Sequence, residues 1–331
     1  MPFLDLRIRG LKKIATLIVT LAVIAVVVAG CLAAIVQPFV RPILSTPPPV
    51  DSARLEAHVK RLSVDFHPRR YDRLDNIART VQYITNELKA AGAAVSTQDI
   101  EVGGRTYQNI IARFGPATGP LLVIGAHYDS YNMTPGADDN ASAVAGLLEL
   151  ARLLGQVPPA RSIELVAYAF EEQPRSSNAD MGSAWHARAL RAAKREVSLM
   201  LSLEMIGYFT DAPGSQRFPA PGLSLLYPDR GDFIAIVGKL SHYGLMRQVK
   251  SAMSGATRLP VHSINSPRRV PGIENSDHVN FWDADYPALM VTDTAYLRNP
   301  NYHGPNDTWQ TLDFRRMAQV VQAVYALTQH S

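Results

Sequence analysis

LLVIGAHYDS, residues 121–130, sets an almost unbroken apolar run of six residues against a histidine and an aspartate. A strand apolar on both faces belongs to a sheet covered by helices. Outward from that strand, two short β-rich runs precede it at 94–102 and 107–114, and a helix with an apolar stripe at Ile77, Val81, Ile84 and Leu88 spans 76–91 before Gly92. Downstream the periodicity predicts a helix over 141–154, a strand over 163–170, a helix over 181–193, strands over 197–203 and 223–227, and a helix over 232–240. A short helix near 277–282, a strand over 288–291 and a closing helix over 314–328 complete the chain. Alternating strands and helices predict an α/β fold, a three-layer αβα sandwich around a mostly parallel central sheet.

Ligands of such sheets gather where the strands end, so the polar residues after each apolar run carry the chemistry. They are His127 and Asp129, then Asp138, Asp139 and Asn140 on the following loop, Glu171 and Glu172, Glu204, and His303. Alone, each has an ordinary explanation: a strand-end His or Asp forms surface hydrogen bonds, and Asp139-Asn140 caps the helix that follows. Together they bring carboxylates to one sheet edge, where mutual repulsion calls for a cation. Imidazoles and carboxylates without thiolate suit Zn²⁺, with Mn²⁺ or Co²⁺ also accommodated.

The segments GAHYDS (125–130), PGADDNASAVA (135–145), AFEEQ (169–173), MGSAWHA (181–187), SLEMIGY (202–208), SDHVNFW (276–282) and YHGPNDT (302–308) follow one another in an order that resembles the co-catalytic di-zinc aminopeptidases. That group includes leucyl-type bacterial aminopeptidases, aminopeptidase Y and the glutamate carboxypeptidase II-like metallopeptidases. The resemblance covers residue 76 to the C-terminus and implies a phosphorylase/hydrolase-like zinc exopeptidase fold. It implies two zinc ions, one held by His127 and Glu204, the other by Glu172 and His303, with Asp139 shared. It further implies Glu171 as general base, Asp129 as the carboxylate orienting His127, Tyr302 as a hydrogen-bond donor to the developing oxyanion, and a cis bond at Asp139-Asn140. Glu204 stands where many relatives have Asp. The 173–180 stretch is longer than the family's tight turn, and loops 211–222 and 266–271 are positions expected to decide substrate fit. Phe281, Trp282 and Tyr286 are either pocket walls or core, and Asp277 is either an amine-recognition group or a helix cap.

Before the body, residues 14–36 run 23 residues without a charge, preceded by Arg7, Arg9, Lys12 and Lys13. That exceeds a signal peptide's apolar core of about 7 to 15 residues and suffices for a transmembrane helix. The expected organisation is a cytoplasmic basic flank over 1–13, an anchor over 14–40, a Pro-rich linker over 41–50 and a metallopeptidase domain over 51–331, placed on the periplasmic or extracellular side. A lipoprotein signal ending at Cys31, the only cysteine, is the alternative. The net charge of +4 resides in residues 1–46, leaving 28 basic and 28 acidic residues in the remainder, so no nucleic-acid footprint is expected. The function indicated is a membrane-anchored metallo-aminopeptidase acting on peptide substrates. A glutaminyl cyclase-like transferase and a metal-free binding ectodomain are the alternatives.

Overall fold

The computed structural model describes residues 2–172 and 178–329. Its elements are helix α1 (Pro2–Val36), α2 (Ser52–Lys60), α3 (Leu74–Ala90), strands β1 (Ala94–Val102), β2 (Arg105–Phe114) and β3 (Leu121–His127), then α4 (Ala143–Gln156), β4 (Ser162–Tyr168), α5 (Gly182–Ala192) and β5 (Val197–Glu204). Then come β6 (Ile234–Lys239), α6 (Tyr243–Ala256), β7 (Val261–Ser266), α7 (His278–Asp283), β8 (Ala288–Thr292) and α8 (Phe314–Gln329). All eight strands form one sheet in the order β1-β2-β4-β3-β5-β8-β6-β7. The neighbours β4, β3, β5 and β8 are parallel, so their carboxyl ends share one edge. Every residue of β3 and β4 is buried. One face packs against α2, α3, α4, α6 and α8, and the other against α5 and α7, which gives the three layers expected.

Two expected elements are different in the structure. Residues 232–240, read as a helix, contain strand β6, and residues 223–227, read as a strand, contain a single 3₁₀ turn at Leu223–Leu225. The run FIAIVG is apolar throughout, and periodicity alone does not separate a short buried strand from a buried helix. Here β6 pairs on both sides, antiparallel to β8 and parallel to β7, and those ladders decide its state. The sequence periodicity predicts neither helix α6 nor strand β7: α6 carries Gly244 and Gly255, and β7, VHSINS, is a polar-rich edge strand. Gly92 ends α3 as read, at φ +83°, a conformation that favours glycine.

Helix α1 contains a stretch, Ala15–Val36, long and apolar enough to cross a membrane, and that stretch is not buried against the body. The segment after it does not stand off as a spacer. Gln37 Nε2 donates to the Leu226 carbonyl (3.0 Å), buried Lys250 donates to that of Pro38 (2.9 Å), and the Ile43 and Ser45 amides donate to the Ser251 and Gly255 carbonyls. Residues 37–48 thus form a strap along α6 whose end is held by Gln322 of α8, which donates to Pro48 O. Gly255 permits the approach, since a Cβ there would collide with the Ile43 carbonyl.

Candidate metal centre

The carboxyl edge of the four parallel strands brings the separate histidines and carboxylates to one place. His127 is the last residue of β3, Glu204 the last of β5, and Glu171 and Glu172 follow β4. Asp139 lies on the turn before α4, and His303 on the loop after β8. His127 Nε2 stands 3.4 Å from Asp139 Oδ1 and 3.4 Å from Glu204 Oε2. His303 Nε2 stands 3.1 Å from Asp139 Oδ2 and 3.4 Å from Glu172 Oε1. Asp139 therefore presents one oxygen to each histidine. Two donor triads result, His127–Asp139–Glu204 and Asp139–Glu172–His303, sharing a single carboxylate.

The spacing suits a small tetrahedral cation. Ligands at about 2.0–2.1 Å from an ion in that geometry lie about 3.3–3.4 Å from one another. Asp139 Oδ1 and Glu172 Oε1 are buried and accept no hydrogen bond from the protein, which costs free energy for a buried acceptor unless something else satisfies it. Burial opposes charge on His303, but Asp139 and Glu172 outweigh it and hold the imidazolium up to about 10. Burial and then the neighbouring Asp139 push the Glu172 carboxyl up to about 8. Desolvation also works against charge on His127, yet Glu204, Asp129 and Asp139 raise it well above the ordinary range. In the absence of a cation the cluster thus retains protons that metal uptake must expel. Zinc titration of the metal-depleted protein at pH 7, in two buffers of different ionisation enthalpy, is expected to show at least one proton released per ion and affinity rising toward pH 8. Heats independent of buffer would contradict the ligand set.

Asp129 faces His127, its Oδ1 3.4 Å from Nδ1. Its more definite bonds go elsewhere: Oδ1 and Oδ2 accept the backbone N–H groups of Glu171 (3.2 Å) and Glu172 (3.0 Å). One carboxylate thus fixes the backbone of the adjacent glutamates, and Glu171 comes within reach of both His127 and Glu172. Phe170 before the pair, Met205 after Glu204, and His303 itself have φ of +60°, +51° and +55°. Such backbone costs about 1–3 kcal/mol per residue and is concentrated at functional sites. The Asp139–Asn140 bond is cis.

Tyr131, Ser276 and Asp307 support the site without having stood out in the sequence. The His303 ring has Tyr131 stacked at 3.8 Å and 1° and Tyr302 at 3.8 Å and 17°. Two nearly parallel rings at that distance cannot share a face, so the imidazole is sandwiched between them. Ser276 donates to Glu204 Oε2 (2.7 Å), orienting the longer side chain that stands in for Asp. Asp307 accepts the amides of Asp138 (2.8 Å) and Asp139 (3.2 Å), and Asn140 bridges Leu203 O and Met205 N on either side of Glu204. Asp277 neither caps α7 with its side chain nor reaches the surface, and burial pushes its carboxyl up to about 7. Phe281, Trp282 and Tyr286 are buried in the core beneath α5 and α7.

Glu204 and Tyr302 also line a cleft with about 840 Å³ of open space, whose other walls include Phe218, Tyr227, Phe233, Val237, Ile264 and Met290. Loops 211–222 and 266–271 both contribute, through residues such as Arg217 and Pro271. Glu204 is the only carboxylate on these walls among the described residues. Most of the long 173–180 stretch, residues 173–177, lies outside the described residues.

An α/β sheet carrying two histidine–carboxylate triads that share an aspartate, beside an apolar cleft, has the layout of a metallohydrolase. Residues 109–328 match the model of peptidase family M28, and the chain belongs to that family. It is 50% identical over 303 residues to "Uncharacterized protein YfbL" of Escherichia coli strain K12, covering 89% of this chain and 93% of that one. Leucine aminopeptidase 1 of Metarhizium robertsii is 26% identical over 288 residues, covering 82% of this chain and 67% of that protein. The solved structure of a glutaminyl cyclase from Bacteroides thetaiotaomicron shares the fold at a TM-score of 0.67 and 19% identity, covering 86% of this chain and 100% of that one.

Proposed function

We propose that this chain is a membrane-anchored zinc aminopeptidase that hydrolyses N-terminal peptide bonds outside the cytoplasm, α1 being the anchor and the body from residue 51 the catalytic domain. The observation that carries the reading is the pair of donor triads sharing Asp139, opening through Glu204 and Tyr302 into an apolar cleft. His127, Asp139 and Glu204 would hold one zinc, and Asp139, Glu172 and His303 the other. Zinc bound there supplies a Lewis acid for the scissile carbonyl and lowers the pKa of water.

The remaining work falls to the chain itself. Glu171 takes a proton from the attacking water and returns it to the leaving amine. Asp129 holds the Glu171 and Glu172 amides so that the two side chains keep separate tasks. The Tyr302 hydroxyl, whose pKa is raised first by burial and then by Asp139 and Glu172, stays protonated and can donate to a developing oxyanion. The cleft walls favour a large apolar side chain on the residue released.

The test uses the full chain in non-ionic detergent. Metal per chain is measured, and release from a panel of aminoacyl chromogenic substrates is followed with and without chelator. The expected result is about two zinc ions per chain and chelator-sensitive release, faster for leucyl and aromatic residues than for aspartyl or glycyl. One zinc with cyclisation of N-terminal glutamine would replace this reading with the transferase. No metal and no turnover would leave a binding ectodomain.

A further inference from the structure

A second hollow lies at the opposite edge of the sheet from the metal centre. It is walled by the first residues of β3 and β5, by α6 and by the strap, and leaves about 1920 Å³ of open space that runs out into solvent. Leu122, Leu199, Leu245, Val249 and Phe39 supply apolar lining, and Arg41, Arg161 and Arg247 supply guanidinium groups. No Asp or Glu is among the described residues that line it. Arg161 on the floor donates to Ser198 Oγ (2.7 Å), whereas Arg41 and Arg247 are exposed at the rim. The hollow thus combines an apolar wall with cationic groups at its mouth, the inverse of an anionic amphiphile.

Its position supplies the occupant. Helix α1 ends at Val36, three residues before Phe39 and five before Arg41. The Ile35 carbonyl accepts from Asn265 Nδ2 (3.1 Å), and Gln37 Oε1 accepts from the Ser263 amide (3.3 Å). Because β6 and β7 run opposite to β8, the end of β7 at Asn265 and Ser266 lies where β3, β4, β5 and β8 begin. From Ile35 to Gln37 the chain therefore moves up β7 from that amino edge, and the apolar stretch of α1 that precedes this contact is not buried by the body. A bilayer crossed by α1 would face this hollow, with the metal centre turned toward the aqueous side.

We propose that the hollow seats an acidic phospholipid from the leaflet at which α1 emerges. Arg41 and Arg247 pair with its phosphodiester, while Phe39, Leu245 and Val249 receive its first acyl methylenes. The inference rests on reading α1 as a membrane anchor. Two arginines at an anionic headgroup give an expected preference of about 30-fold, equivalent to about 2 kcal/mol.

The experiment is native mass spectrometry of the full chain in non-ionic detergent, with phosphatidylglycerol or phosphatidylcholine added. The expected result is one phosphatidylglycerol retained about 30-fold more tightly than phosphatidylcholine. In the double variant Arg41→Gln, Arg247→Gln the two lipids should be retained alike, with zinc content and thermal midpoint unchanged. Equal retention by the wild type, or an undiminished preference in the variant, overturns the proposal. Displacement of the lipid by an equal concentration of inorganic phosphate also overturns it, by making the hollow a free-anion site. The anchor is read separately: release of the chain from membranes by alkaline carbonate would reject the anchor, whereas a retained chain without lipid preference rejects this inference alone.

Discussion

Glu171→Gln is expected to leave the zinc content unchanged and to lower kcat by about 10²–10⁴-fold, the range typical for loss of a general base. The substitution keeps the size of the side chain and the backbone amide bond to Asp129, so the geometry of Glu172 next to it is preserved. It removes a group able to accept a proton at neutral pH, while both shared-aspartate triads retain all their donors. KM should change little, because the cleft walls lie elsewhere. The competing assignment is specific, since Glu171 also comes close enough to His127 and Glu172 to serve as a ligand. Metal analysis separates the two: loss of an ion in the Gln variant would move Glu171 into the ligand set and leave the base to another residue.

Arg69→Met is expected to cost the fold about 4 kcal/mol, at the extreme of single substitutions. The guanidinium is fully buried and donates to the carbonyls of Tyr128 (2.7 Å), Leu62 (2.9 Å), Pro135 (3.0 Å) and Gly136 (2.8 Å). Burial pulls it down to about 10, and the nearby Asp307, Asp129, Asp139 and Glu172 help to keep it charged. An apolar replacement removes the Arg69 donor from the Tyr128, Leu62 and Pro135 carbonyls, a loss of about 1–3 kcal/mol for each left unsatisfied if water cannot enter, whereas Gly136 O still accepts the Ala141 amide (3.1 Å). It also removes positive charge from beneath the carboxylate cluster. Urea unfolding of the full chain in detergent should show the loss, accompanied by a drop of roughly 10 °C in thermal midpoint. Arg69→Lys should fall between, retaining the charge but not the planar fork. A midpoint within a degree or two of wild type would show that the 128–136 loop holds itself.

What the sequence revealed and what it hid divide along the range of the interactions. The core strands announce themselves by apolar composition, and the donor residues and the base sit directly at strand ends or in short motifs, so His127, Asp139, Glu171, Glu172, Glu204 and His303 could be singled out one element at a time. The family resemblance then ordered them. Arg69, by contrast, reaches residues about sixty positions away, and Asp307 meets the amides of Asp138 and Asp139 across 169 and 168 positions. Tyr131 lies two residues beyond the recognisable HYD (127–129), and nothing local distinguishes it from any loop tyrosine. The misreading of 223–240 has a similar origin, because the state of β6 is decided by β7 and β8, strands that follow it in the chain. The strap was hidden for the opposite reason. Its prolines describe a stiff, extended segment accurately, but stiffness does not reveal that the segment lies on α6.

The reversed β6–β7 pair separates what the enzyme does from what it accepts. Of the five donors and Glu171, all but His303 come from β3, β4 and β5, their ends and the turn that follows β3, and His303 from the loop after β8. By contrast Phe233, Val237 and Ile264 of the cleft wall belong to the reversed strands or their approach. Insertions or replacements in the segment between residues 211 and 275 can therefore reshape the wall without displacing a donor atom. Divergence of substrate preference within one lineage needs no change in the reacting groups, and descendants with the same five donors and the same glutamate base can be selected for different diets.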